Sequence, residues 1–85
     1  KPTLKQEGLY KAFQYLLKDF TGHELSEVQS LIYKNTDTSK EEIENYDKLQ
    51  YSEFIEKLFR MCSEEIGIEV QIIDEKLQII PEKND

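Results

Sequence analysis

The sequence predicts a mainly α fold with a small β element (α+β), a bundle of three to four helices followed by a C-terminal β-hairpin. Three observations predict it. Apolar residues recur at helical spacing through most of the chain up to Ile66. Beyond Gly67 the pattern switches to alternation at period two. The chain has 85 residues, which suits one core rather than two, since domains run from about 50 to 250 residues. A single domain over 1–85 is therefore expected. With no Met ahead of Lys1-Pro2, it reads as a piece excised from a longer protein.

The first helix is expected over about 4–20. Leu9, Phe13, Leu16, Leu17 and Phe20 follow a 3.6-residue period, with Lys11, Gln14 and Lys18 outward. Gly8 weakens the first turn, and Gly22 is placed to end the helix in the left-handed conformation. A second helix over about 24–33 carries Leu25, Val28, Leu31 and Ile32, with Thr21 and Glu24, or Ser26 and Gln29, as a capping box. The polar run from Lys34 to Thr38 reads as a loop. Ser39 and Glu42 then form another capping signal for a short helix over about 39–46. The last helix, over about 52–66, carries Phe54, Ile55, Leu58, Phe59 and Cys62 and stops at Ile66-Gly67.

A hairpin over about 68–80 comes next. Ile68, Val70 and Ile72 alternate with polar neighbours, Asp74-Glu75-Lys76 makes the break, and Leu77 and Ile79 resume the alternation. The turn has neither Asn-Gly nor Asp-Gly, so its type stays open. Pro81 ends the second strand, and the residues after it are expected to be loose. The expected core is helical: Leu9, Phe13, Leu16, Leu17, Phe20, Val28, Leu31, Ile32, Phe54, Ile55, Leu58, Phe59 and Cys62. Tyr10, Tyr15, Tyr33, Tyr46 and Tyr51 flank these faces, half buried with wet hydroxyls.

Net charge is −7, and it is uneven: residues 1–40 balance at +1 and residues 41–85 at −8. Nucleic-acid affinity rests on cationic neutralisation of phosphates, so direct DNA or RNA binding is disfavoured. No run approaches the roughly 20 apolar residues that a membrane span needs. One cysteine, Cys62, excludes an internal disulfide and favours a reducing, intracellular and cytoplasmic setting. On an apolar helix face it should be buried and inert.

Catalytic chemistry finds little footing. His23 is the only histidine, sits in a loop beside Gly22, and is tied to no nucleophile by a motif. One Cys and one His cannot fill a tetrahedral zinc site, and Gly8, Gly22 and Gly67 are too dispersed for a phosphate loop. The expectation is a non-enzyme without cofactors.

The acidic run Glu41, Glu42, Glu44 and Asp47 reads first as a solvated helix face. Extended to the apolar helix beyond it, the stretch 42–60 resembles the second half of an EF-hand: Leu49, then Glu53 and Phe54, opening that helix. The resemblance implies Glu42, Glu44 and Glu53 as calcium candidates. It also departs from the family, with Glu42 in place of Asp, Tyr46 where an oxygen ligand is wanted, and Asp47 where the loop needs Gly. It thus implies an EF-hand-like domain without calcium, of the kind that serves as a protein-binding scaffold in cytoskeletal and ciliary proteins.

The leading expectation is a non-catalytic intracellular protein–protein interaction module. Its partner would be another protein, offering a basic or amphipathic segment to an apolar groove between the first and last helices. Two alternatives stand beside it. One is a winged-helix-like subunit of a larger assembly, with the hairpin tip as wing. The other is an acidic inhibitor that mimics nucleic acid through Glu41 to Glu44, Glu64, Glu65 and Glu69.

Overall fold

A computed structural model describes residues 1–80. Its elements are α1 (Leu4–Thr21), α2 (Leu25–Thr36), α3 (Lys40–Glu44), α4 (Lys48–Met61), a π-helical turn (Cys62–Ile66), β1 (Glu69–Ile73) and β2 (Lys76–Ile80). The protein is mainly helical with a C-terminal antiparallel hairpin, as the two periodicities predict. The expected end of β2 at Pro81 and the loose residues after it lie outside the described residues.

Local chemistry sets the helix boundaries. Thr3 Oγ1 accepts from the Gln6 amide at 3.0 Å, and Gln6 Oε1 accepts from the Thr3 amide at 2.9 Å. This capping box satisfies orphan donors and holds the first turn despite Gly8, so α1 is helical from Leu4. Gly22, at φ 76°, closes α1 with its N–H on the Lys18 carbonyl. Neither box expected for α2 forms. Thr21 is the last residue of α1, and the Glu24 amide instead donates to the Glu27 carboxylate at 3.2 Å. Helix α2 runs to Thr36, where Asp37 takes the left-handed conformation at φ 53°. Helix α3 is capped by Ser39 and ends at Glu44, before Tyr46.

Helix α4 departs most from expectation. It begins at Lys48, one turn ahead of Ser52. Asp47 Oδ1 accepts from the Gln50 amide at 2.8 Å, and Gln50 Oε1 accepts from the Asp47 amide at 3.0 Å. Asp47 is thus a helix cap. The Gln6 side chain donates to the Lys48 carbonyl at 3.0 Å and ties the starts of α1 and α4 together.

The core lies where α1, α2 and α4 meet: Phe13, Leu17, Val28, Ile32, Leu58 and Cys62 are wholly buried. Phe13 meets Phe59 edge to face at 4.9 Å, and Phe54 stands within 5.1–6.0 Å of Tyr10, Tyr46 and Tyr51. Five of the expected core residues are not fully buried. Phe20 is half exposed, while Leu9, Leu16, Leu31 and Phe59 are only partly covered. In their place the core takes Ile43, Tyr51, Met61, Ile68 and Val70. Tyr51 is buried rather than half buried, because α4 starts early enough to turn it inward, and it is the Tyr10 hydroxyl that is shut off from water. Gln14, expected to face outward, is also buried and accepts from Gln29 Nε2 at 2.8 Å, a polar tie between α1 and α2.

The hairpin pairs Val70 with Ile79 and Ile72 with Leu77 on one face, and Gln71 with Gln78 on the other. Its two-residue turn puts Asp74 at φ 53° and Glu75 at φ 65°, the positive pair that marks a type I′ turn. Strand β2 packs against α1 and β1 against the π-helical turn.

Candidate interaction groove

The reactive side chains are dispersed. His23 is exposed, and its Nδ1 lies 3.7 Å from the Glu27 carboxylate at the start of α2. Cys62 is wholly buried, and desolvation pushes its thiol up to about 11, away from the thiolate form that reacts. Burial, then the charge of Glu7, pushes the Tyr51 phenol up to about 12. Tyr10 is raised further by burial and by the neighbouring Tyr33 phenol. That neighbour acts electrostatically, because the Tyr10 hydroxyl has no partner in hydrogen-bond geometry.

The calcium candidates do not share a loop. Glu42 and Glu44 lie within α3, and Glu53 lies in the second turn of α4. Leu49 is 69% exposed on α4. Residues 42–53 therefore form a helix, a three-residue link and a second helix, with no room for a calcium loop of about twelve residues. Among the described residues no three His, Cys, Asp or Glu side chains gather as a metal site. Glu41, Glu42, Glu44, Glu64, Glu65 and Glu69 are all exposed, divided among α3, the π-helical turn and β1.

Apolar surface gathers between α1 and the hairpin. A groove of about 620 Å³ has Leu9, Ala12 and Leu16 on the α1 wall and Ile72 and Leu77 on the hairpin wall. It continues past Leu16 and Leu77 into a shallower trough of about 550 Å³, bounded by Phe20 and Ile79. Tyr15, Phe20, Ile72 and Ile79 leave between 37% and 50% of their surface to solvent. A volume of several hundred Å³ with apolar walls and a few polar groups fits the usual form of a binding cleft, about 300–1,000 Å³.

The groove has a plain origin in sequence. On α1, residues 9, 12 and 16 are centred roughly 90° round the helix from residues 13 and 17, with Leu9 nearest the core face. The helix thus has two apolar faces, one packed into the core and one facing the hairpin. Gly8 belongs to the same α1 wall, and a Cβ added there would meet nothing within 4 Å. The expected groove between the first and last helices is a minor cleft of about 180 Å³, near Leu9 and Ile55. The α1–α4 junction is filled by the core, so the larger opening falls on the other side of α1.

Charge marks the two ends. Lys5, Lys76 and Glu75 stand at the α1 N-terminal end, and Asp19 at the C-terminal end. Among the described residues neither lysine has a carboxylate within ion-pair distance.

No family model matches the chain, and no curated protein or solved structure matches it. No helix among the described residues is long and apolar enough to cross a membrane.

Proposed function

We propose that this protein is a non-catalytic interaction module that receives an amphipathic segment of another protein between α1 and the hairpin. The observation that carries the reading is the half-exposed apolar side chains, Tyr15, Phe20, Ile72 and Ile79, lined along one continuous groove. Single exposed apolar residues are ordinary on a protein surface, but a contiguous patch marks an interaction site. Seating an apolar stripe there removes both surfaces from water at about 25 cal/mol per Å². The buried, unpaired Cys62 supports a setting in a reducing compartment, inside the cell.

A second reading, a subunit of a larger assembly with the hairpin as a wing, is favoured by one observation: the hairpin pairs within the chain and packs on α1. The two readings differ in which surface of the hairpin is used. A photo-crosslinking residue placed at Phe20 or Ile79 should trap a partner through the groove, while one at Glu27 on α2 should not. Adducts from Glu69 and Gln71 on the opposite hairpin face, with none from Phe20 or Ile79, would favour the wing. Turnover of any substrate by the isolated chain would remove both.

A further inference from the structure

The charges of α1 are arranged differently on its two sides. A helix is stabilised by acidic residues in its first turn and basic residues in its last, because its dipole is positive at the N-terminus and negative at the C-terminus. Away from the groove α1 obeys this, with Glu7 in the first turn and Lys18 in the last. On the groove face the order is inverted, with Lys5 at the start and Asp19 at the end. Both placements oppose the helix that carries them, and both are exposed. Across the groove, Lys76 adds a second cation at the Lys5 end, and with Glu75 that end keeps a net positive charge.

An inverted order on the groove face is complementary to the ordinary order on another helix. We infer that the occupant is an amphipathic helix running parallel to α1, with acidic residues in its first turn against Lys5 and Lys76 and a basic residue in its last turn against Asp19. The inference rests on the groove being the interaction surface and adds the direction and charge signature of what fills it. From Lys5 to Asp19 the groove wall is about 21 Å long, so the docked helix has about 15 residues. Its apolar stripe meets Leu9, Ala12 and Leu16, and Gly8 gives it room to approach. Parallel dipoles oppose one another, but half-charges a helix-packing distance of about 10 Å apart count for less than unit charges in contact.

Two synthetic peptides test this. Both carry one Leu/Ile stripe at helical spacing and the same composition. The first has Glu in its first turn and Lys in its last, and the second has the reverse. Affinities are measured by NMR titration of the isotope-labelled protein and of a charge-swapped variant, Lys5→Glu, Lys76→Glu and Asp19→Lys. All three positions are exposed, and the helical circular dichroism of the variant checks its fold. The first peptide is the better helix in isolation, so the informative quantity is how the preference changes between the two proteins.

The native protein should favour the first peptide by roughly 3- to 10-fold more than the variant does, the size expected of a few exposed ion pairs. A nitroxide at the peptide N-terminus should broaden the amides around Lys5 and Lys76 and leave those around Asp19 sharp. Equal preference in the two proteins, or broadening at Asp19, overturns the orientation and leaves the groove reading in place. If neither peptide shifts the groove resonances, both fall together.

Discussion

Phe13 and Phe20 lie on the same face of α1 by periodicity alone, yet the structure gives them opposite energetic weight. Phe13 is wholly buried and meets Phe59 edge to face at 4.9 Å, whereas Phe20 keeps 50% of its surface in water. Truncating Phe13 to Ala should leave a cavity in the α1–α4 interface and destabilise the domain by about 3–5 kcal/mol. A domain of 85 residues has a total stability of only about 4–13 kcal/mol. At about 4–8 °C per kcal/mol, the melting temperature should fall by at least about 12 °C, and the weakest case does not fold at all. Phe20→Ala opens no cavity and loses about half the transfer energy of a buried phenylalanine, about 1 kcal/mol. Thermal and urea unfolding followed by circular dichroism read both values. Equal losses for the two variants, or the larger loss for Phe20→Ala, would refute the division of α1 into a core face and a groove face.

Gly8→Ala should raise stability by about 0.8–1.0 kcal/mol, since the methyl group meets nothing and alanine favours a helix, while it narrows the groove. A raised melting temperature together with weaker binding of a docked peptide is the expected pair of results. Glu75→Gly should stabilise the hairpin by about 1 kcal/mol, because glutamate is strained at φ 65° and glycine is not; a lower melting temperature would contradict the turn geometry. Burial raises the phenol of Tyr51 from 10.0 to about 12 and the thiol of Cys62 from 9.0 to about 11. The folded state therefore holds these protons more tightly, and its advantage is complete below pH 9 and fades as pH climbs through 11 and 12. In a variant with Tyr15, Tyr33 and Tyr46 changed to Phe, tyrosinate absorbance during alkaline titration should rise with the loss of helical signal rather than ahead of it. Cys62 should stay closed to a thiol reagent in the native protein and react on unfolding.

The fold class is legible because both signals it rests on are local. Helical spacing from Leu9 to Cys62 and alternation after Gly67 survive without knowledge of what packs on what. The core is less legible, and the reason is specific. Leu9, Phe13, Leu16, Leu17 and Phe20 read as one stripe, but they divide between two neighbours, α4 with α2 on one side and the hairpin on the other. Periodicity reports that a face is apolar and is silent on which element meets it. Ile68 and Val70 are missing from the expected core because a lone hairpin gives no reason to count strand residues in it, although the π-helical turn brings them inward.

The start of α4 is visible in principle. Asp47 and Gln50 have the spacing of a capping box, but the acidic run before them draws Asp47 into a calcium-loop frame. The groove itself has one trace in the sequence, the reversed charges Lys5 and Asp19, which acquire meaning only once the hairpin is seen to lie along that side of α1.

The π-helical turn between Cys62 and Ile66 governs where the second wall of the groove stands. It winds five residues where an α-helix needs about four, and the Cys62 carbonyl accepts from both Gly67 and Ile68 as the chain leaves. Each α-helical residue advances the exit direction by about 100°. Wound as a regular α-helix, the same five residues would turn the chain further at each position and swing the ribbon roughly a quarter-turn around the axis of α4. Nothing in the three-helix body would need to shift, but the cleft would cease to exist. The docking surface thus depends on angular phase at one joint, and a return to regular winding there would redirect it while every core side chain of the helices stayed in place.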